Sequence, residues 1–107
     1  MNIQFKKGVL EICVLVLLEQ QDCYGYELVK KISEKVEIAE GSMYPILRRF
    51  TKEGYCTTYL QESTDGPSRK YYRLTKEGKK YLQDQMGAWK AFTKAINELI
   101  KEGDENE

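Results

Sequence analysis

The feature that most constrains this chain is a hairpin signal set among helical patterns. Tyr55 to Glu62 is rich in Thr and Tyr and reads as a strand. Ser63 to Ser68 is a turn cluster with Asp65-Gly66 as its strongest punctuation, and Arg69 to Leu74 reads as the returning strand. The segments on either side read as helices. Val9 to Leu18, broken only by Glu11, is apolar on nearly every side of a helical projection, which marks a helix buried all round. The β-branched Val9, Ile12, Val14 and Val16 leave a buried strand as the competing reading; run length favours the helix. In a chain of 107 residues such a helix is expected to need a second subunit to cover it.

Asp22 to Gly25 is a break, with Asp22 as the expected N-cap of a second helix over Gly25 to Lys35. Tyr26, Leu28, Val29, Ile32 and Val36 recur there at helical spacing. A third helix starts with Ser42 as N-cap, takes Pro45 into its first turn and ends at Gly54. At about 100° per residue, Met43, Ile46, Leu47 and Phe50 share one face. Pro45, Arg48 and Lys52 point the opposite way, with Tyr44 and Arg49 flanking. Thr75 caps a final helix predicted to run to about Lys101, and the acidic tail 102–107 is expected to be disordered.

Length allows one domain with one core, and a chain this small is marginal by itself. The formal net charge is zero, but it is unevenly placed. Residues 1–40 hold five basic and seven acidic side chains, net −2; residues 41–80 hold nine and four, net +5; residues 81–107 hold three and six, net −3. One positive block in a neutral chain points to a localised anionic partner, against the plain alternative of a solvated lysine-rich surface. The longest apolar run falls short of the roughly 20 residues that span a bilayer, and no small-residue cleavage site follows it, so the chain is expected in the cytoplasm. Cys13, Cys23 and Cys56 form no paired framework, which fits a reducing compartment. Cys23, near a helix start, is the thiol expected to be most acidic.

Helix, helix, helix, hairpin, helix is the order of a winged helix-turn-helix: an α+β, mainly α fold. The expected division is a winged unit over 1–74, a dimerisation helix over 75–101 and the tail. The third helix is the expected reader of a DNA major groove. Arg48, Arg49 and Lys52 would supply guanine and phosphate contacts, Ser42 a helix N-terminus facing phosphate, and Tyr44 a hydroxyl. Arg69 and Lys70 in the hairpin would reach phosphates or the adjacent minor groove. The rival reading is a winged helix used only for protein contacts, which predicts an acidic or apolar outward face. An enzyme is disfavoured: there is no histidine, glycine-rich phosphate loop, nucleophile motif or metal-ligand cluster, and no cofactor is expected.

Leu82, Trp89, Phe92, Ile96 and Leu99 approximate a heptad seam, with Met86 and Ile100 beside it and Gln85 interrupting it. This seam, with Leu10 and Val14 of the first helix against it, is the expected homodimer interface. A tryptophan near a two-fold axis has a symmetry mate beside it, so Ile12, Met86, Trp89 and Phe92 are the expected lining of a pocket for a planar aromatic effector. A filled interface without ligand is the alternative.

Several segments together carry a resemblance. They are Gly8-Val9-Leu10-Glu11, Tyr24-Gly25-Tyr26-Glu27-Leu28, Gly41 to Phe50, Glu53-Gly54, Glu62-Ser63, Gly66-Pro67, Arg69 to Thr75, Gly78, and Trp89 with Phe92. In that order and spacing the chain resembles the short PadR-type transcriptional regulators, with Tyr59 where the family often has Trp. The resemblance implies a homodimeric repressor on a palindromic operator, controlling transporter, drug-resistance or stress genes. It also implies planar drugs as ligands between the first helix and the tryptophan. Two reading helices of such a dimer would sit about 34–36 Å apart.

Overall fold

The computed structural model describes residues 3–105. The chain runs α1 (Ile3–Gln20), β1 (Cys23–Tyr24), α2 (Gly25–Ser33), a 3-10 turn (Glu40–Ser42), α3 (Met43–Lys52), β2 (Cys56–Ser63), β3 (Gly66–Leu74) and α4 (Lys76–Glu105). This is the mainly helical winged-helix architecture that the order of patterns implies.

α3 has the faces its spacing predicts. Met43, Ile46, Leu47 and Phe50 are buried, while Pro45, Arg48 and Lys52 are exposed. The helix ends in a Schellman arrangement. The Gly54 amide donates to the Thr51 carbonyl at 3.2 Å, and the Tyr55 amide donates to Phe50 at 2.8 Å. Gly54 takes φ +80°, the left-handed conformation this motif needs. At the other end Ser42 holds the expected N-cap position but makes no side-chain cap bond: it also closes the 3-10 turn, and both its amide and its hydroxyl donate to the Ala39 carbonyl. Its amide is therefore occupied within the turn.

The hairpin closes over Thr64-Asp65, and β3 starts at Gly66, earlier than Arg69. The sheet has a third strand that the residue pattern conceals. β1 pairs antiparallel with β3, Cys23 opposite Tyr72 and Tyr24 opposite Tyr71. Asp22 does not cap α2, whose N-cap is Tyr24 without a side-chain bond. Its carboxylate instead accepts bonds from the Tyr59 hydroxyl at 2.7 Å and from Arg73 Nε at 3.1 Å.

α1 is covered largely from within the chain. α2, β3 and α4 all pack on it, and Leu10, Val14, Leu15 and Leu18 are buried. Leu82 of α4 is buried in the same core. Leu10, Val14 and Leu82, expected in a dimer seam, are buried in the core of the single chain, because α4 folds back on α1. Thr75 does cap α4: its hydroxyl accepts the Gly78 amide at 3.0 Å.

α4 is helical to Glu105, so residues 102–105 are ordered helix where a disordered tail is expected; Asn106 and Glu107 lie outside the described residues. Glutamate is a good helix former, and no proline intervenes to stop the helix. At 30 residues α4 is roughly 45 Å long, which stretches the molecule to 60 Å along its main axis. The radius of gyration is 16.5 Å, above the roughly 13 Å of a compact chain this size. The distal half of α4 projects from the core, with Phe92, Ile96, Leu99 and Ile100 exposed along it.

Candidate nucleic-acid interface

α3 is held against α2 at one close contact. The Tyr44 ring lies on Gly25, where a β-carbon would stand 3.0 Å from Cε1 of the ring. Beside this contact the start of α2, the exposed side of α3 and the β3 strand enclose a concavity of about 450 Å³. Tyr44 and Arg48 of α3 line it with Arg69 and Lys70 of β3. Tyr24, Tyr26 and Tyr72 complete its wall.

The wing cations are set by aromatic neighbours. The Arg69 guanidinium lies 4.7 Å from the Tyr24 ring centre, and Lys70 Nζ lies 5.8 Å from that of Tyr72. Burial pushes the Tyr72 phenol above its ordinary 10.0, with Arg48 opposing, so it presents a neutral hydroxyl. The concavity thus combines three cations with phenolic hydroxyls, a chemistry suited to phosphate oxygens and base edges.

On the outer face of the sheet Tyr24, Tyr71 and Tyr59 form a row across three strands. Tyr71 lies edge-on to Tyr24 at 5.4 Å and stacks on Tyr59 at 5.6 Å. Arg73 lies 4.9 Å over Tyr59 and bonds Asp22, tying the β2 and β3 strands to the end of α1.

Not every expected contact residue joins the concavity. Lys52 is exposed at the far end of α3, and Ser42 at its start is engaged in the turn. Arg49 does not line the concavity either. Its guanidinium is turned towards α1, where Nη2 bonds Glu11, while Nη1 reaches Glu53 at 3.3 Å. Two carboxylates outbid solvent for a fork-shaped cation in reach of both. Tyr26, which recurs at helical spacing with Leu28, Val29 and Ile32, is 59% exposed. At about 100° per residue it stands over 90° from the centre of the Leu28, Val29 and Ile32 face, so the helical projection contains the signal.

A second concavity lies between α1 and α4. It measures about 270 Å³ and is lined by Gly8, Val9, Ile12, Gln85, Ala88, Trp89 and Phe92. A smaller one of about 130 Å³ adjoins it at Val9, Ile12, Cys13 and Trp89. Ile12, Trp89 and Phe92 meet there as expected of a pocket lining. Met86 lines neither; it packs against the core. Among the described residues no group of His, Cys, Asp or Glu could hold a metal ion, and no helix is long and apolar enough to cross a membrane.

The Cys23 thiol is also corrected. It is fully buried, and burial pushes its pKa above the ordinary 9.0, because β1 carries it into the core.

Comparison with known proteins fits this geometry. A PadR-like protein of Bacillus cereus whose crystal structure is known is 38% identical, with a TM-score of 0.81 over 91% of this chain and 96% of that one. An uncharacterized protein of Lysinibacillus sphaericus is 36% identical over 91% of this chain and 92% of its own length. The negative transcriptional regulator PadR of Bacillus subtilis is 28% identical over 88% of this chain, which spans only 52% of that longer protein. Residues 14–84 match the transcriptional regulator PadR-like family. With two thirds of its length in that match, and the hairpin, α3 and the long α4 in place, the chain belongs to the PadR-like family of transcriptional regulators.

Proposed function

We propose that this regulator is a sequence-specific DNA-binding repressor acting as a homodimer. The observation that carries the reading is the concavity in which Arg48 of α3 meets Arg69 and Lys70 of β3. A reading helix and a wing then present cations to one duplex, the helix to a major groove and the wing to phosphates beside it. The repressor sign draws on the Bacillus subtilis relative, a negative regulator by name. The exposed stripe Phe92, Ile96, Leu99 and Ile100 supports the dimer, since an apolar stripe on a projecting helix calls for a partner helix. The hollow beside Trp89 supports release by a planar aromatic effector.

The test is a salt titration of binding to duplexes selected from a random pool. Binding that falls steeply with salt, to sites with two half-sites about one helical turn apart, supports the reading. Absence of duplex binding at low salt would instead make the winged helix a protein-interaction module.

A further inference from the structure

We infer that Arg49 is a positioning residue that couples the α1–α4 hollow to the reading helix, and not a contact to DNA; the inference rests on the DNA-binding function proposed above. Three surfaces of its guanidinium are occupied within the chain. One arm bonds Glu11 of α1, the other reaches Glu53 at 3.3 Å, and the plane lies 5.0 Å over the Phe50 ring. Phe50 in turn meets Tyr81 of α4 edge-on at 6.1 Å, and Tyr55 at 6.0 Å. Tyr55 stacks on Tyr81 at 4.2 Å with the rings 8° from parallel. One residue pair of α3, Arg49-Phe50, thus bolts the reading helix to α1 and to α4 at once.

Those two anchors neighbour lining residues of the hollow along their helices. Glu11 precedes Ile12, which lines it on α1. Tyr81 is one helical turn before Gln85, which lines it on α4. A change in the spacing of α1 and α4 at the hollow therefore moves both attachment points of α3. The Glu11 side chain is only 15% exposed, so this carboxylate is poorly placed to exchange its partner for water. A bond of this kind transmits displacement more faithfully than a solvent-screened pair. Coupling of this sort is reciprocal: duplex binding at α3 must be felt at the hollow as strongly as the hollow is felt at α3. Trp89 lines the hollow and is the only tryptophan in the chain, so it reports on this directly.

The test uses the full chain and a duplex selected from a random pool. Arg49→Gln removes the cation that both carboxylates hold, and Glu11→Gln removes the α1 partner. Each is expected to weaken duplex binding about tenfold, a typical size for coupling between sites. The double variant should lose little more than either single one, because both break the same link. The dependence of affinity on salt should stay as in the wild type, whereas loss of a phosphate contact lowers its slope by about 0.9. Duplex binding should shift Trp89 emission in the wild type and not in either variant. A role confined to stability would lower the melting temperature and leave the Trp89 response intact. A reduced salt slope in Arg49→Gln, additive losses in the double variant, or a retained Trp89 response overturns the inference while duplex binding by the wild type upholds the function beneath it. Failure of the wild type to bind any duplex overturns both.

Discussion

Gly78 of α4 faces the carbonyl oxygen of Tyr55 so closely that a β-carbon on Gly78 would lie 2.0 Å from it. That carbonyl also accepts the Thr75 amide at 3.0 Å, so it is held from two sides where α4 crosses the start of β2. Two effects of Gly78→Ala compete. Alanine favours the helix by about 1 kcal/mol. Overpacking against backbone costs about 1–3 kcal/mol, and here the Leu74 side chain crowds the same space at 2.6 Å. The steric cost should win. Urea unfolding is expected to show net destabilisation of up to about 2 kcal/mol, and equal or greater stability would mean that α4 shifts freely away from Tyr55.

Arg48 lines the concavity without the double carboxylate grip that holds Arg49. Arg48→Ala is expected to weaken binding to a selected duplex by about 1–3 kcal/mol and to relax the preference at one base position. A uniform loss over all sequences, with the salt slope lower by about 0.9, reassigns the residue to phosphate.

Leu99 is 63% exposed, so it contributes little to the fold of one chain. Leu99→Glu should therefore leave the far-ultraviolet spectrum intact and raise the homodimer dissociation constant about tenfold or more. Sedimentation equilibrium measures it. An unchanged constant removes Leu99 from the seam.

Burial pushes the thiols of Cys13, Cys23 and Cys56 above their ordinary 9.0. The folded pKa values are the higher ones, so their contribution to stability is complete below the unfolded pKa and is lost as pH rises through the folded values. At about pH 8 the folded chain should hold Cys23 and Cys56 as neutral, inaccessible thiols, with Cys13 the faster to react. A colorimetric thiol reagent tests this. Rapid native labelling of Cys23 would show that the β1 strand opens readily from β3.

Tyr59 donates its phenol to Asp22, and this bond raises its pKa above the ordinary 10.0. In Asp22→Asn the carboxylate is gone, so Tyr59 should ionise at lower pH. Spectrophotometric titration of tyrosinate reads the difference; an unmoved Tyr59 would mean the bond does not form in solution.

Much of this was legible in the residue order. Met43, Ile46, Leu47 and Phe50 bury as their spacing requires, Gly54 ends α3, and Thr75 caps α4. These are local rules, each decided within one or two helical turns. The misses share a different cause. β1 has two residues, too few for any periodicity, and exists only because β3 pairs with it. Asp22 had several roles open to it, and its bonds to Tyr59 and Arg73 span 37 and 51 positions of sequence. Arg48 and Arg49 are the same residue type on adjacent positions, and only the arrival of Glu11 from α1 separates their surroundings.

The heptad stripe divides in the same way. Sequence alone determined that α4 carries an apolar face from Leu82 to Leu99, since helical geometry fixes which side chains align. It could not say what covers each part, because burial is a property of neighbours. The fold buries Leu82 against α1 of its own chain and leaves Phe92, Ile96 and Leu99 outside. The helices, their buried faces and the ends at Gly54 and Thr75 follow from local steric and hydrogen-bonding preference. The tertiary structure decided which cation looks outward and which part of the stripe remains exposed, because contacts over long sequence separations form only when the whole chain has packed.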